Sequence, residues 1–134
     1  MALSAFPLLL IAVAAYNALA FAAPARLAAP VLALTLPSGA RLELSGGDAV
    51  VILGLALLFV EVLKATRTGN ASILDHSLSV LLTLVVIVEL LLVPAVGHSS
   101  FLLLLLLCLL DVVAGFTVTI SAARRDVGIG GGLS

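Results

Sequence analysis

The sequence predicts an all-α membrane protein: four transmembrane helices with a short β-hairpin in the first extracytoplasmic loop. Three observations carry that prediction. Of 134 residues, 63% are hydrophobic and only 10% charged, whereas a soluble domain carries about a quarter charged residues to solvate its surface. The mean hydropathy is +1.40. Four apolar runs of about 20 residues, the length that crosses a bilayer core, follow one another along the chain. Lipid offers the backbone no hydrogen-bond partners, so each run must be a helix. The same composition argues against nucleic acid as a partner. A net charge of −1 and 4% aromatic residues provide neither a basic face nor a stacking platform.

The first run, residues 2–23, has no charged side chain. The segment MALSAF lacks the positive n-region of a cleaved signal peptide, so the run is read as a retained span. Ala14, Ala18 and Ala22 lie four apart, a spacing of small residues that lets helix backbones approach closely; alanine as plain filler is the alternative. The longest connection, residues 24–48, follows. VLALTL and ARLEL flank Leu36-Pro37-Ser38-Gly39, and this pattern predicts a hairpin over about residues 31–44. Two strands alone are marginal in water, so the hairpin is expected to rest on the bundle, on lipid headgroups or on a partner. Ser45-Gly46-Gly47-Asp48 ends it, with Asp48 placed to cap the second helix.

That second span covers about residues 49–65 and is interrupted only by Glu61 and Lys64. The third runs over 73–93 and is closed by Pro94; the fourth runs over 100–121 and contains FLLLLLLCLL. The tail, 124–134, ends in GIGGGLS, which is too rich in glycine to fold unaided and is expected to be flexible. The whole chain reads as one membrane domain. Lys64, Arg67, Arg124 and Arg125 fall on the side of both termini, against Arg26 and Arg41 on the other. Positive charge favours the inner face, which predicts cytoplasmic termini.

Charged groups at bilayer depth cost about 2.5–3.5 kcal/mol each, so every one needs a reason. Glu61 lies one turn before Lys64, where the two can form an interfacial pair. Gly54, two turns earlier, marks a face that can approach a neighbour. Ser72-Ile73-Leu74-Asp75 resembles a capping box at the start of the third helix, and the adjacent His76 is read as a hydrogen-bonding residue that could respond to pH. Glu89 shares a helical stripe with Asp75, Ser79, Leu82 and Val86, with Thr83 at its margin. Asn17 in the first helix reaches the same depth as Glu89, which predicts a hydrogen bond between them. Asp111 lies near the middle of the fourth span, on one face with Ser100, Cys108, Gly115 and Thr119. It has two readings, a proton- or cation-handling group and a structural hydrogen bond that fixes helix packing.

No nucleophile elbow, phosphate loop or zinc-protease motif is present, so no catalytic residue is assigned. His76 and His98 are expected on opposite sides of the membrane, which implies no metal site and no haem or other cofactor. Cys108 is the single cysteine and has no partner for an intramolecular disulfide. The stretch from Glu61-Val62-Leu63-Lys64-Ala65-Thr66-Arg67 through Asp75-His76, with Asp111-Val112-Val113-Ala114-Gly115-Phe116-Thr117-Val118-Thr119, resembles a group of small four-span proteobacterial membrane proteins of unknown function. The resemblance covers about the last two-thirds of the chain and implies a bacterial inner membrane. Small multidrug-resistance transporters have a similar size but carry a carboxylate in the first helix, which this chain lacks.

The expectation for function is therefore a non-enzymatic accessory or assembly subunit of a larger inner-membrane complex. Its partners would be lipids and other integral membrane subunits, or further copies of itself. The alternative is a small homo-oligomeric transporter or proton pathway that uses the intramembrane carboxylates.

Overall fold

The computed structural model describes residues 5–67 and 70–131. In chain order it comprises α1 (Leu9–Ala22), α2 (Ala25–Ala28), β1 (Pro30–Thr35), β2 (Arg41–Ser45), α3 (Gly46–Lys64), α4 (Asn70–Leu92), a 3-10 turn (Pro94–Val96) and α5 (Ser99–Gly131). Helices α3, α4 and α5 are long and apolar enough to cross a membrane. Helix α1 is apolar but has only 14 residues, a rise of about 21 Å against a hydrocarbon core of about 30 Å. The expected first span of residues 2–23 is thus shorter as a helix: α1 begins at Leu9, two residues past Pro7, and residues 1–4 lie outside the described part.

Where α1 stops short, its flanks continue along α3. The Phe6 carbonyl accepts from Lys64 at the end of α3, and the Arg26 carbonyl lies against Gly46 at its start. Residues 6–26 therefore run the length of α3, antiparallel to it. The buried face of α1 is Leu9, Ala12, Val13, Tyr16 and Ala20, whereas Ala14, Ala18 and Ala22 are exposed. Close approach is made instead by Ala12 against Gly54, where a Cβ would lie 3.6 Å from the Ala12 methyl and 3.1 Å from the tips of Leu104 and Leu107. Leu9, Val86, Val96, Phe101 and Leu104 complete a dry centre shared by α1, α4, the 3-10 turn and α5.

Each helix end has a physical cause. Ser45 caps α3: its hydroxyl accepts from Asp48 N–H at 3.1 Å, and Asp48 Oδ2 accepts from Ser45 N–H at 3.0 Å. Asp48 is thus the third helical residue of a capping box, and Ser45 is the cap. Pro94 cannot continue α4, which ends at Leu92. Helix α4 opens at Asn70, two residues before Ser72, so Asp75 stands in the second turn and caps nothing. Helix α5 does not end near Ser121. It runs to Gly131: of the tail expected to be flexible, 124–134, residues 124–131 are helical and 132–134 lie outside the described residues. Extending a long, packed helix fixes one residue per added hydrogen bond, which is far easier than nucleating one.

The hairpin is antiparallel, with Leu32 opposite Leu44, Ala33 opposite Glu43, Leu34 opposite Leu42 and Thr35 opposite Arg41. Gly39, at φ +86°, supplies the left-handed residue that closes its loop after Pro37-Ser38. Directly opposed residues share a face. Leu32, Leu34, Leu42 and Leu44 therefore form one leucine face, and Ala33, Thr35, Arg41 and Glu43 form the other, where Arg41 Nε meets Glu43 Oε1 at 2.7 Å. Among the described residues nothing buries either face: Pro30–Thr35 and residues 41–43 are exposed, and only Leu44 and Ser45, next to α3, are half-buried.

Candidate functional site: a buried ionic cluster at one end of the bundle

One end of the bundle gathers the start of α1, the end of α3, the start of α4 and the later turns of α5. Lys64 Nζ is the hub there. It lies 3.1 Å from Glu61 Oε1 and 3.4 Å from Asp75 Oδ1, and it donates to the Phe6 carbonyl at 2.6 Å. Glu61 also accepts from the Leu8 backbone N–H. The first N–H groups of a helix have no partner within it and favour negative charge, so a carboxylate from α3 caps α1, which has no capping side chain of its own. The expected Glu61–Lys64 pair forms at 3.1 Å, but its carboxylate is buried instead of lying at an exposed interface. Glu61 is only 2% exposed, and its role is to clasp the entry of a neighbouring helix.

Asp111 of α5 and Ser79 of α4 are 4% and 3% exposed; α4 and α5 run antiparallel, with His76 against Thr119 and Thr83 Oγ1 at the Cys108 carbonyl, which sets Ser79 level with Asp111. Ser79 Oγ is buried without a hydrogen-bond partner among the described residues. No ion pair of the described residues includes Asp111. His76 is buried on the outer side of the cluster. Its ring packs against Gly115, where a Cβ would lie 3.0 Å from Cε1, and lies 5.0 Å from the Phe116 ring centroid. Thr119 Oγ1 donates to the Ala65 carbonyl at 2.9 Å and lies 2.7 Å from His76 Nε2. A hydroxyl has one proton to give, so Nε2 donates to Thr119 and Nδ1 is left as the acceptor nitrogen.

Two further polar contacts stand apart from this cluster. Asn17 Nδ2 donates to Glu89 Oε2 at 3.0 Å and to the Val13 carbonyl at 3.1 Å. Tyr16 OH and Ser100 Oγ meet at 2.6 Å in the core, beside Gly47, where a Cβ would lie 2.5 Å from Ser100 Oγ. Tyr16→Phe leaves a buried serine hydroxyl without its partner, and a loss of about 1–3 kcal/mol is expected. Thermal unfolding in mild detergent reads it; an unchanged melting temperature would show that the contact contributes nothing.

The six polar candidates read from the sequence thus fall into two groups. Glu61, Asp75, His76 and Asp111 converge, and Asn17 and Glu89 form a separate pair. The residue whose central place the sequence did not reveal is Lys64, together with Ser79 and Thr119. Ser79 lies four residues after Asp75 on the same stripe, which was the signal for it. A cleft of about 380 Å³ beside the cluster is lined by Thr66, Thr117, Val118, Ser121, Ala122 and Arg125, none of them a cluster member. Among the described residues no group of three His, Cys, Asp or Glu side chains is arranged to hold a metal ion. Cys108 is buried as a free thiol.

No protein-family model, curated protein or solved structure matches the chain.

Proposed function

We propose that the chain is a non-enzymatic accessory subunit of a larger bacterial inner-membrane assembly, bound to an integral membrane partner through its hairpin. The observation that carries this reading is the leucine face. Leu32, Leu34 and Leu42 are 45%, 49% and 44% exposed, and they lie on strands whose outer edges are unpaired. The two features make opposite demands. Leucines seek an apolar surface, whereas free backbone N–H and C=O groups cannot enter hydrocarbon without partners. A protein surface that receives the leucines and adds a strand or polar groups along an edge meets both. The chain spans the membrane four times, with residues 6–26 as the first crossing. The end that carries Lys64, Arg67, Arg124 and Arg125 faces the cytoplasm.

The test is extraction at native expression in a gentle detergent or polymer, followed by native mass measurement and peptide identification. A photocrosslinker replaces Leu34. The expected result is one heterologous membrane protein in fixed stoichiometry, crosslinked from position 34. It should be lost in the Leu34→Glu, Leu42→Glu double variant while melting of the isolated chain is unchanged, since both side chains are exposed. Recovery of a homo-oligomer alone, or crosslinks to lipid alone, overturns the reading.

A further inference from the structure

The ionic cluster carries an inference that does not depend on the hairpin's partner. Glu61, Asp75 and Asp111 share one buried region with a single ammonium, Lys64. Fully ionised, it would hold two negative charges in excess. An uncompensated buried charge is costly enough that the group takes up a proton instead. Lys64 stands within ion-pair distance of Glu61 and Asp75, so those two share its charge. Among the described residues Asp111 has no such partner, and it stands level with Ser79, whose buried hydroxyl has no hydrogen-bond partner there. A serine hydroxyl can serve either form of Asp111, accepting from the carboxylic acid or donating to the carboxylate.

Access to Asp111 is lopsided. Toward the hairpin end, Tyr16, Val86, Phe101 and Leu104 are each 0% exposed and form a packed, largely apolar layer, in which the polar contacts among the described residues are Tyr16–Ser100 and, at its margin, Asn17–Glu89. Toward the other end, the Lys64 side chain is 15% exposed and joins the cluster to the surface. The groups around Asp111 are Glu61 and Lys64 from α3, Asp75 and Ser79 from α4, and Cys108 one turn away on α5. His76 lies farther out.

We propose that Asp111 is a proton-binding site that exchanges with one face of the membrane only, with Ser79 as its hydrogen-bond partner and the Glu61–Lys64–Asp75 network as its route to that face. The site binds and releases a proton; it does not conduct one across, because the apolar layer closes the other half of the bundle. Such a group reports the proton concentration of a single compartment.

The test uses the full chain in sealed liposomes of known orientation and dicyclohexylcarbodiimide, which modifies protonated carboxyl groups in apolar surroundings. Peptide mapping should place the adduct on Asp111, and Asp111→Asn supplies the unlabelled control at nearly equal volume. Labelling should fall with rising pH, about tenfold per unit beyond its midpoint as for a single titrating group. It should follow only the pH on the Lys64 side. Ser79→Ala removes a donor to the ionised form, so the midpoint should move to higher pH. The proposal is overturned if folded protein, verified by its melting curve, takes no label at Asp111 at any pH, or if labelling follows both compartments. Protection by sodium at fixed pH would also overturn it, by making a metal cation the ligand.

Discussion

Lys64→Met is expected to destabilise the bundle by about 3–5 kcal/mol, the usual cost of removing one partner of a buried ion pair. The loss comes from what stays behind. Glu61 and Asp75 keep their burial and lose the ammonium within 3.1 and 3.4 Å, and the Phe6 carbonyl loses its donor. Thermal unfolding in mild detergent measures the effect, and the diagnostic step is a rescue. Neutralising the acids as well, with Glu61→Gln and Asp75→Asn on the Lys64→Met background, should recover much of the loss, because neutral hydrogen-bonding groups tolerate burial better than unpaired charges. A single-variant loss below about 1 kcal/mol would place the pair among exposed, screened contacts. It would also remove the route assigned to the Asp111 proton.

Gly46→Ala should be the most damaging of the glycine substitutions. A Cβ at Gly46 would lie 2.1 Å from the Arg26 carbonyl oxygen and 3.0 Å from its carbon. Both are backbone atoms, which cannot rotate away, so α2 must lift off the start of α3. Overpacking of this kind costs about 1–3 kcal/mol or more. Gly54→Ala is the internal comparison. Its Cβ meets the tips of Leu104 and Leu107 at 3.1 Å, and leucine tips can rotate, so a smaller loss is expected. Melting curves rank the two, and protease cleavage within residues 24–45 should rise only for Gly46→Ala. Equal effects would show that the α2–α3 contact is not rigid.

Much of the architecture was legible because a bilayer restricts the choices so severely. The turn at Pro37-Ser38-Gly39 and the end of α4 at Pro94 follow from local backbone chemistry, and both stand where the sequence puts them. Depth matching alone brought Asn17 to Glu89. The ionic cluster was harder to see, because its members span 50 residues of chain, from Glu61 to Asp111, and meet only once three helices are packed. Asp75 shows the difficulty in one residue: its spacing from Ser72 fits a capping box, and only the added helical turn from Asn70 and the reach of Lys64 reassign it. Glu61 was similarly disguised, since a pair one turn apart near a helix end reads as interfacial until α1 is laid across it. Helix α1 itself misled through composition, because its small residues occur on both faces. Ala12 packs against Gly54, while Ala14 and Ala18 face outward.

The length of α5 gives the molecule a lever. Its 33 residues correspond to about 50 Å of helix, roughly 20 Å more than a hydrocarbon core accommodates. With α5 seated as a span, Asp111 falls within the hydrocarbon core, and the far end of the same continuous helix, with Arg124 and Arg125, projects beyond it. From Asp111 to Gly131 the rod measures about 30 Å, so a tilt of about 10° pivoting at Asp111 sweeps its tip through about 5 Å. Small changes in how α5 seats against α4 are thereby magnified at the aqueous end, where a soluble domain or a neighbouring subunit would feel them.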